Sequence, residues 1–473
     1  MYAMAIGIAR VTGVLLLPVL TRRLTDSDLG VFGLLTSALA LLQYASGLGL
    51  DSAATRWFYE AEASGLDHDA RTADRRRTLS TWVWATVFVG IGLSAAGALA
   101  AGPLARVAFE GTAADIRATR AAALAIPGLA MINVLQHWYR MVRRPTPALL
   151  VAIAVAASTL VLTVLLVAIG HAGVAGVFGA QAAVGAAVTI AGLAQMWPAI
   201  GPPRVDRARF RTMLRYSIPL LPSVASPLLL GLLTRLLIRS FADVDEVGQF
   251  QVVSMLATVV ILFTTAFQQA WEPYALSMID REQAKPIYRA AFLGYAAMAG
   301  LFGCFLAALF PLALPILGSR FTDLSLPVLI FGASMLVGGA LPIINTGPSI
   351  AGTGRPAFEA MLVGSAVNVA LCAALIPSLG QEGACWASLI TAFLLVVIAL
   401  ARSERVWRVD FPLTRAGVVV VIAVGLSTVL HLVTAAAGAP LLLRVAAASV
   451  ILAIGATGGA ALLIGQVRQL RSG

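Results

Sequence analysis

Apolar positions run through this chain in long blocks, broken by short stretches rich in Arg, Asp, Gly and Pro. Neither the alternation of a half-buried strand nor the narrow stripe of a surface helix dominates. A helix that crosses a bilayer needs about 20 mostly apolar residues, and blocks of that length recur about fourteen times. They lie near 2–20, 29–50, 79–101, 121–141, 147–169 and 174–197, then 217–240, 248–270, 288–317, 326–350, 357–377 and 383–401. Two more follow near 413–435 and 440–465. Pro127 interrupts the fourth, and Pro311 and Pro315 fall in the ninth. Membrane helices tolerate proline where neighbours satisfy the freed carbonyls. The longest connection, 51–78, reads as a solvated loop, and no soluble domain is predicted.

Composition agrees. Of 473 residues, 59% are apolar and 12% charged, against roughly 45–50% and about 25% in soluble domains. A water-soluble exterior cannot be built from such a chain. This excludes a cytosolic enzyme, a secreted domain and a disordered protein. Met1 opens onto an apolar segment without a basic leader, so no cleavable signal peptide is expected. Cys304, Cys372 and Cys385 lie in apolar runs without metal-type spacing, so no disulfide framework or metal site is predicted.

The net charge of +11 would suggest nucleic acid in a soluble protein. Here the arginines read as an orientation code. With both termini inside, the cytoplasmic connections collect Arg71 to Arg77, Arg140 to Arg144, Arg204 to Arg215 and Arg402 to Arg415, and the outer ones hold far fewer. A multi-pass protein with both ends cytoplasmic follows, touching anionic headgroups but no nucleic acid.

The chain also echoes itself. Leu20-Thr21-Arg22 precedes Asp26-x-Asp28-x-Gly30-x-Phe32, and Leu233-Thr234-Arg235 precedes Asp243-x-Asp245-x-x-Gly248-x-Phe250. Arg144-Pro145 with Gly170-x-x-Gly173 recurs as Arg355-Pro356 with Gly380-x-x-Gly383. A repeat with an even number of spans preserves orientation, which places substrate between two halves related by an axis along the membrane normal. The expected organisation is a six-helix lobe over 1–200, a second over 201–405, and two additional helices in 406–473.

A charge at bilayer depth is costly and normally faces a cavity or a partner. Arg10 lies halfway along the first span, and its planar guanidinium suits phosphate or carboxylate, with an internal ion pair or snorkelling as the alternative. Arg235 and Arg239 share a helix face near the outer end of the seventh span, where headgroup contact serves equally well. His137 and Arg140 sit one turn apart at the inner end of the fourth span, and Arg56 follows the second beside Trp57 and within reach of Glu60. Gln43, Asn133, Gln136, Gln181, Gln268, Gln269 and Asn368 could hydrogen-bond sugars or simply join helices. All 22 acids fall in loops or near span ends. An arginine-bearing interior without a central acid suits an anionic cargo.

The chain resembles the bacterial polysaccharide exporters, the Wzx-type oligosaccharide flippases of the MOP superfamily with its MATE-like fold. The resemblance rests on Arg10-x7-Pro18-x2-Thr21-Arg22 with Gly30-x-Phe32-Gly33 and Gly47-Leu48-Gly49. It continues in Ser217-Ile218-Pro219-Leu220-Leu221-Pro222 and Ala266-Phe267-Gln268-Gln269-Ala270-Trp271-x-Pro273, then Gly352-x-Gly354-Arg355-Pro356, Asn368 and Ile376-Pro377-x-x-Gly380. It implies an all-α inner-membrane protein that flips an undecaprenyl-pyrophosphate-linked glycan of O-antigen or lipopolysaccharide type. A cationic cavity would hold the headgroup, with Arg10, Arg235 and Asn368 the first residues to carry over. Polymerase and glycosyltransferases are the implied partners, and no cofactor beyond a proton or sodium gradient, itself left open. Thr234 stands where many relatives carry an acid, which leaves any acid–arginine coupling there in doubt.

Two other classes fit less well. A polymerase or ligase would need a sizeable outer loop and a catalytic constellation, and neither is present in the sequence. A multidrug exporter shares the fold but commonly needs a mid-membrane carboxylate.

Overall fold

The computed structural model describes residues 2–63, 67–276, 281–350 and 355–414. Among them there is no strand, and nine helical stretches are long and apolar enough to cross a membrane. The first twelve expected spans each fall on a described helix; the last two lie outside the described residues. By its internal contacts the chain divides into two units, residues 1–252 and 253–473.

The first unit contains α1 (Tyr2–Arg23), α2 (Asp26–Gly47), α3 (Leu50–Ala63), α4 (His68–Leu99), α5 (Ala101–Ala108) and α6 (Ala113–Met141). It continues through α7 (Pro145–Val164), α8 (Gly173–Ile200), α9 (Arg207–Ser217), α10 (Leu221–Phe241) and the start of α11 (Val244–Leu276). Two helix starts are written in the sequence as capping boxes. Thr25 with Asp28 starts α2, and Thr112 with Asp115 starts α6, each side chain satisfying a helix-end N–H that would otherwise be unpaired.

Pro127 does not break α6, which runs unbroken past it. The helix is flanked there by glycines. A Cβ added to Gly90 of α4 would lie 3.3 Å from the Pro127 Cα, and one on Gly185 of α8 would lie 2.8 Å from the Gly128 Cα. Without a hydrophobic drive between helices in lipid, such small-residue contacts let backbones approach closely and gain dispersion energy.

The stretch 51–78 differs from expectation. Its described residues, Asp67 apart, are helical and not a solvated loop. Leu50, Ala53 and Ala54 of α3 are fully buried, Phe58 is buried beside them, and the core they join also holds Trp82, Met131, Met196 and Met213. The Trp82 indole donates to Asp51 at 2.9 Å. Phe58 belongs to this core, and Trp57 and Tyr59 pack against it. A helix of this length carries too few apolar residues to announce itself as a span, so its amphipathic face was the only signal.

The second unit contains the rest of α11, α12 (Arg281–Leu317), α13 (Ser325–Gly338), α14 (Leu341–Ile350) and α15 (Arg355–Val406). The last of these holds two expected spans, joined where Gly380 adopts φ 56°. Only glycine takes that conformation at no steric cost. Tyr295 donates to the Leu336 carbonyl at 2.6 Å, and Trp271, Tyr288 and Trp407 meet edge to face at 5.0 and 5.1 Å.

In each unit an arginine of an earlier helix pairs with an aspartate in a later connection. In the first, Arg77 of α4 pairs with Asp206 at 2.7 Å. In the second, Arg289 of α12 pairs with Asp410 at 3.3 Å and donates to the Val409 carbonyl at 2.6 Å.

Candidate functional site

A cavity of about 560 Å³ opens within the first unit among α1, α2, α6, α7 and α8. Its polar lining is Thr12, Thr36, Gln43, Asn133, Gln136, Arg140, Thr159 and Gln181. Asn133, Gln136 and Arg140 stand three, four and seven residues apart on α6, the spacing that puts them on one helix face. Among the described lining residues Arg140 is the one formal charge, and none is a carboxylate.

The amides are held by the fold. Gln43 donates to the Leu129 carbonyl at 3.2 Å, and Gln136 to the Ala148 carbonyl at 3.1 Å. Each thereby spends an N–H on backbone and keeps a carbonyl oxygen able to accept from a hydroxyl. The Thr36 hydroxyl is buried without a hydrogen-bond partner in the described structure. Arg140 Nη2 lies 2.9 Å from His137 Nδ1. The same Nδ1 lies 3.3 Å from the Asn133 carbonyl, so the imidazole tautomer decides which of the two contacts is a hydrogen bond.

The remaining candidates are spread elsewhere. Arg10 lies on α1, but its side chain is outside the described ones. Arg235 is committed to protein partners: Nη2 and Nε donate to the Gln251 Oε1 at 2.8 and 3.3 Å, Nη1 donates to the Gly231 carbonyl at 3.0 Å, and the Phe250 ring lies 5.3 Å away. One turn on, the Arg239 Nε is buried without a hydrogen-bond partner among the described residues. Arg56 is exposed, 3.8 Å from Glu60 and stacked over Trp57 and Tyr216.

Asn368 belongs to the second unit. It is buried, donates to Thr391 Oγ1 at 3.1 Å and accepts from Cys372 Sγ at 3.5 Å, so it clasps the two arms of α15. Gln268 is half-buried on α11 of the same unit. Thus the structure gathers Gln43 and Arg140 with Asn133, Gln136 and Gln181, and engages Arg235 and Asn368 in side-chain bonds of their own. Thr12, Thr36 and Thr159 were missed. Threonine in a membrane helix ordinarily bonds its own backbone, as Thr12 does to the Ile8 carbonyl at 2.9 Å, and carries no signal by itself.

The family whose profile is described as polysaccharide biosynthesis protein matches residues 1–279, and this stretch holds every residue of the cavity. The chain belongs to the polysaccharide biosynthesis protein family. No curated protein sequence matches it. Among solved structures, this family member is similar to the lipid II flippase MurJ in an inward closed conformation. The TM-score is 0.74 at 14% identity, covering 96% of this chain and 98% of that one. It is also similar to a MATE-family multidrug resistance transporter of the MOP superfamily. In its inward-facing conformation the TM-score is 0.65 at 14% identity, covering 87% and 98% of the two chains. An outward-facing MATE structure gives 0.54 at 15% identity, covering 86% and 94%. At such identities the likeness establishes the fold: an all-α, multi-pass membrane protein of MATE-like architecture. These structural neighbours are transporters and a flippase, none of them an enzyme.

Proposed function

We propose that this protein flips an undecaprenyl-pyrophosphate-linked oligosaccharide across the bacterial inner membrane by alternating access between lobes 1–200 and 201–405. Residues 406–473 supply two further helices, and both termini are cytoplasmic. The observation that carries the reading is the cavity of the first unit. Its amides and threonines supply donors and acceptors for sugar hydroxyls, and Arg140 supplies a bidentate donor for an anion. The family and the MurJ-like fold support the same direction. Arg10 is assigned to the pyrophosphate, with no acid required at mid-depth. Polymerase and glycosyltransferases are the expected partners, one consuming and the others supplying the lipid-linked unit.

The test is deletion followed by analysis of lipid-linked intermediates on each leaflet. Accumulation on the cytoplasmic side supports flipping; accumulation of single units on the periplasmic side would make the protein a polymerase. Arg10→Ala should abolish glycan display while the protein still inserts, and unaltered display at normal protein level would remove Arg10 from the mechanism. A multidrug exporter is the rival reading. The cavity lining speaks against it, because a cationic drug would meet Arg140 and no carboxylate among the described lining residues.

A further inference from the structure

Helix α9 has two unlike faces. Met213 and Ser217 are fully buried, and Phe210 and Tyr216 pack against the core of the first unit. The opposite face carries Arg207, Arg211 and Arg215, all exposed. They are four residues apart, so they stand one above another in a single stripe. From Arg207 to Arg215 the stripe extends about 12 Å. Arg209, the other arginine of the helix, turns away and pairs with Asp74. Asp206 caps the helix by accepting from the Arg209 N–H at 2.7 Å and pairs with Arg77. Asp74 and Asp206 are thus already engaged, and among the described residues the stripe makes no ion pair.

The position of the stripe identifies what it faces. One short turn, Ile218–Leu220, separates α9 from α10, and Ile218 is 52% exposed. Beside it the Trp57 and Tyr216 rings meet edge-on at 5.7 Å, with the Arg56 guanidinium 4.9 Å from the Tyr216 ring. Aromatic rings beside arginine, next to the start of an apolar helix, are the composition of a membrane–water boundary.

We infer that α9 is an interfacial helix whose Arg207–Arg211–Arg215 stripe binds the phosphates of anionic lipids at this end of the spans. A guanidinium fork matches two phosphate oxygens, and a basic helix gains most from a leaflet that carries negative charge. The stripe is longer than the screening distance of about 8 Å at physiological ionic strength, so each arginine acts on the phosphate nearest to it.

The full-length protein is reconstituted in nanodiscs of phosphatidylcholine alone, or of phosphatidylcholine mixed with phosphatidylglycerol. A polarity-sensitive fluorophore is placed at Thr212→Cys, which is exposed between the arginines, whereas Cys304, Cys372 and Cys385 are buried. A blue shift is expected in the anionic discs. It should vanish in R207Q/R211Q/R215Q, persist in R207K/R211K/R215K, and collapse at about 1 M salt, where screening shortens to about 3 Å. Identical emission in both discs overturns the inference. So does a shift produced by polyglutamate in neutral discs and not by phosphatidylglycerol, which would assign the stripe to an acidic protein. Should the glutamine variant fail to fold, the lysine variant and the salt series decide the question.

Discussion

Gly30 of α2 and Gly248 of α11 stand in reciprocal contact at one helix crossing. A Cβ on Gly30 would collide with the backbone of Val244, four residues before Gly248, and would lie 2.6 Å from Val244 Cγ1. A Cβ on Gly248 would collide with the backbone of Asp26, four residues before Gly30, and would lie 3.0 Å from the Gly30 nitrogen. These are the corresponding glycines of the two sequence repeats, so the repeat packs against itself here with local two-fold character.

Because the obstruction at both positions is backbone, Gly30→Ala and Gly248→Ala should destabilise to a similar degree, by about 1–3 kcal/mol each, as overpacking does. Gly33→Ala should cost less, since its Cβ would meet the movable side chain of Gln251 at 3.0 Å or more. Thermal midpoints of the three variants in one detergent check the order. A Gly33 variant weaker than the other two would refute the account.

Arg140→Gln should lower transport roughly ten- to a hundred-fold, the range lost with a hydrogen bond to a charged group. The thermal midpoint should barely move, because Arg140 is exposed and lines a cavity. Arg140→Lys should recover only part of the activity, keeping charge without the fork. Rates per inserted molecule in proteoliposomes, with a lipid-linked glycan as cargo, are the measurement.

Asn368→Ala is expected to behave in the opposite way. Its bond to Thr391 is buried, so its loss should cost about 1–3 kcal/mol through the unpaired hydroxyl. Transport per folded molecule should be unchanged. Parallel stability and transport measurements separate this clasp from a ligand contact.

Asp206 provides a pH-dependent case. The Arg209 N–H, and then Arg77, hold its carboxyl below the ordinary value. A depressed carboxylate contributes stability above its unfolded pKa of about 3.9 and loses it as pH falls through the lower folded value. Asp206→Ala should therefore be less stable by about 0.5–2 kcal/mol at pH 7, the usual worth of a helix N-cap. The gap from the native chain should narrow below about pH 4. Unfolding midpoints of both proteins between neutral and acidic pH test this.

Much of the architecture is legible in the sequence, because twelve spans follow from apolar run length alone. Helices α3 and α9 are less so: they are short, polar on one face, and buried only through tertiary contacts that no local pattern announces. The cavity is legible in part. Asn133, Gln136 and Arg140 share a helical spacing, and Gln43 and Gln181 are conspicuous as amides in apolar runs. That α2, α6 and α8 bring them to one place is a matter of glycine-mediated approach, as at Gly128 and Gly185, which a single sequence does not specify. Arg235 shows the converse. A charge in a span looks like a ligand contact until Gln251, sixteen residues on, is found to hold it.

Gln251 also bears on how a doubled chain can exist. When Gly30 is matched with Gly248 and Phe32 with Phe250, Gly33 falls opposite Gln251, and these two residues meet at the crossing. Two identical halves joined by strict two-fold symmetry would have to place glycine against glycine, leaving a gap, or glutamine against glutamine, competing for one space. Fusion into one polypeptide removes that restriction. Each half can keep its own residue, and the side chain that fills the crossing is also free to hold Arg235.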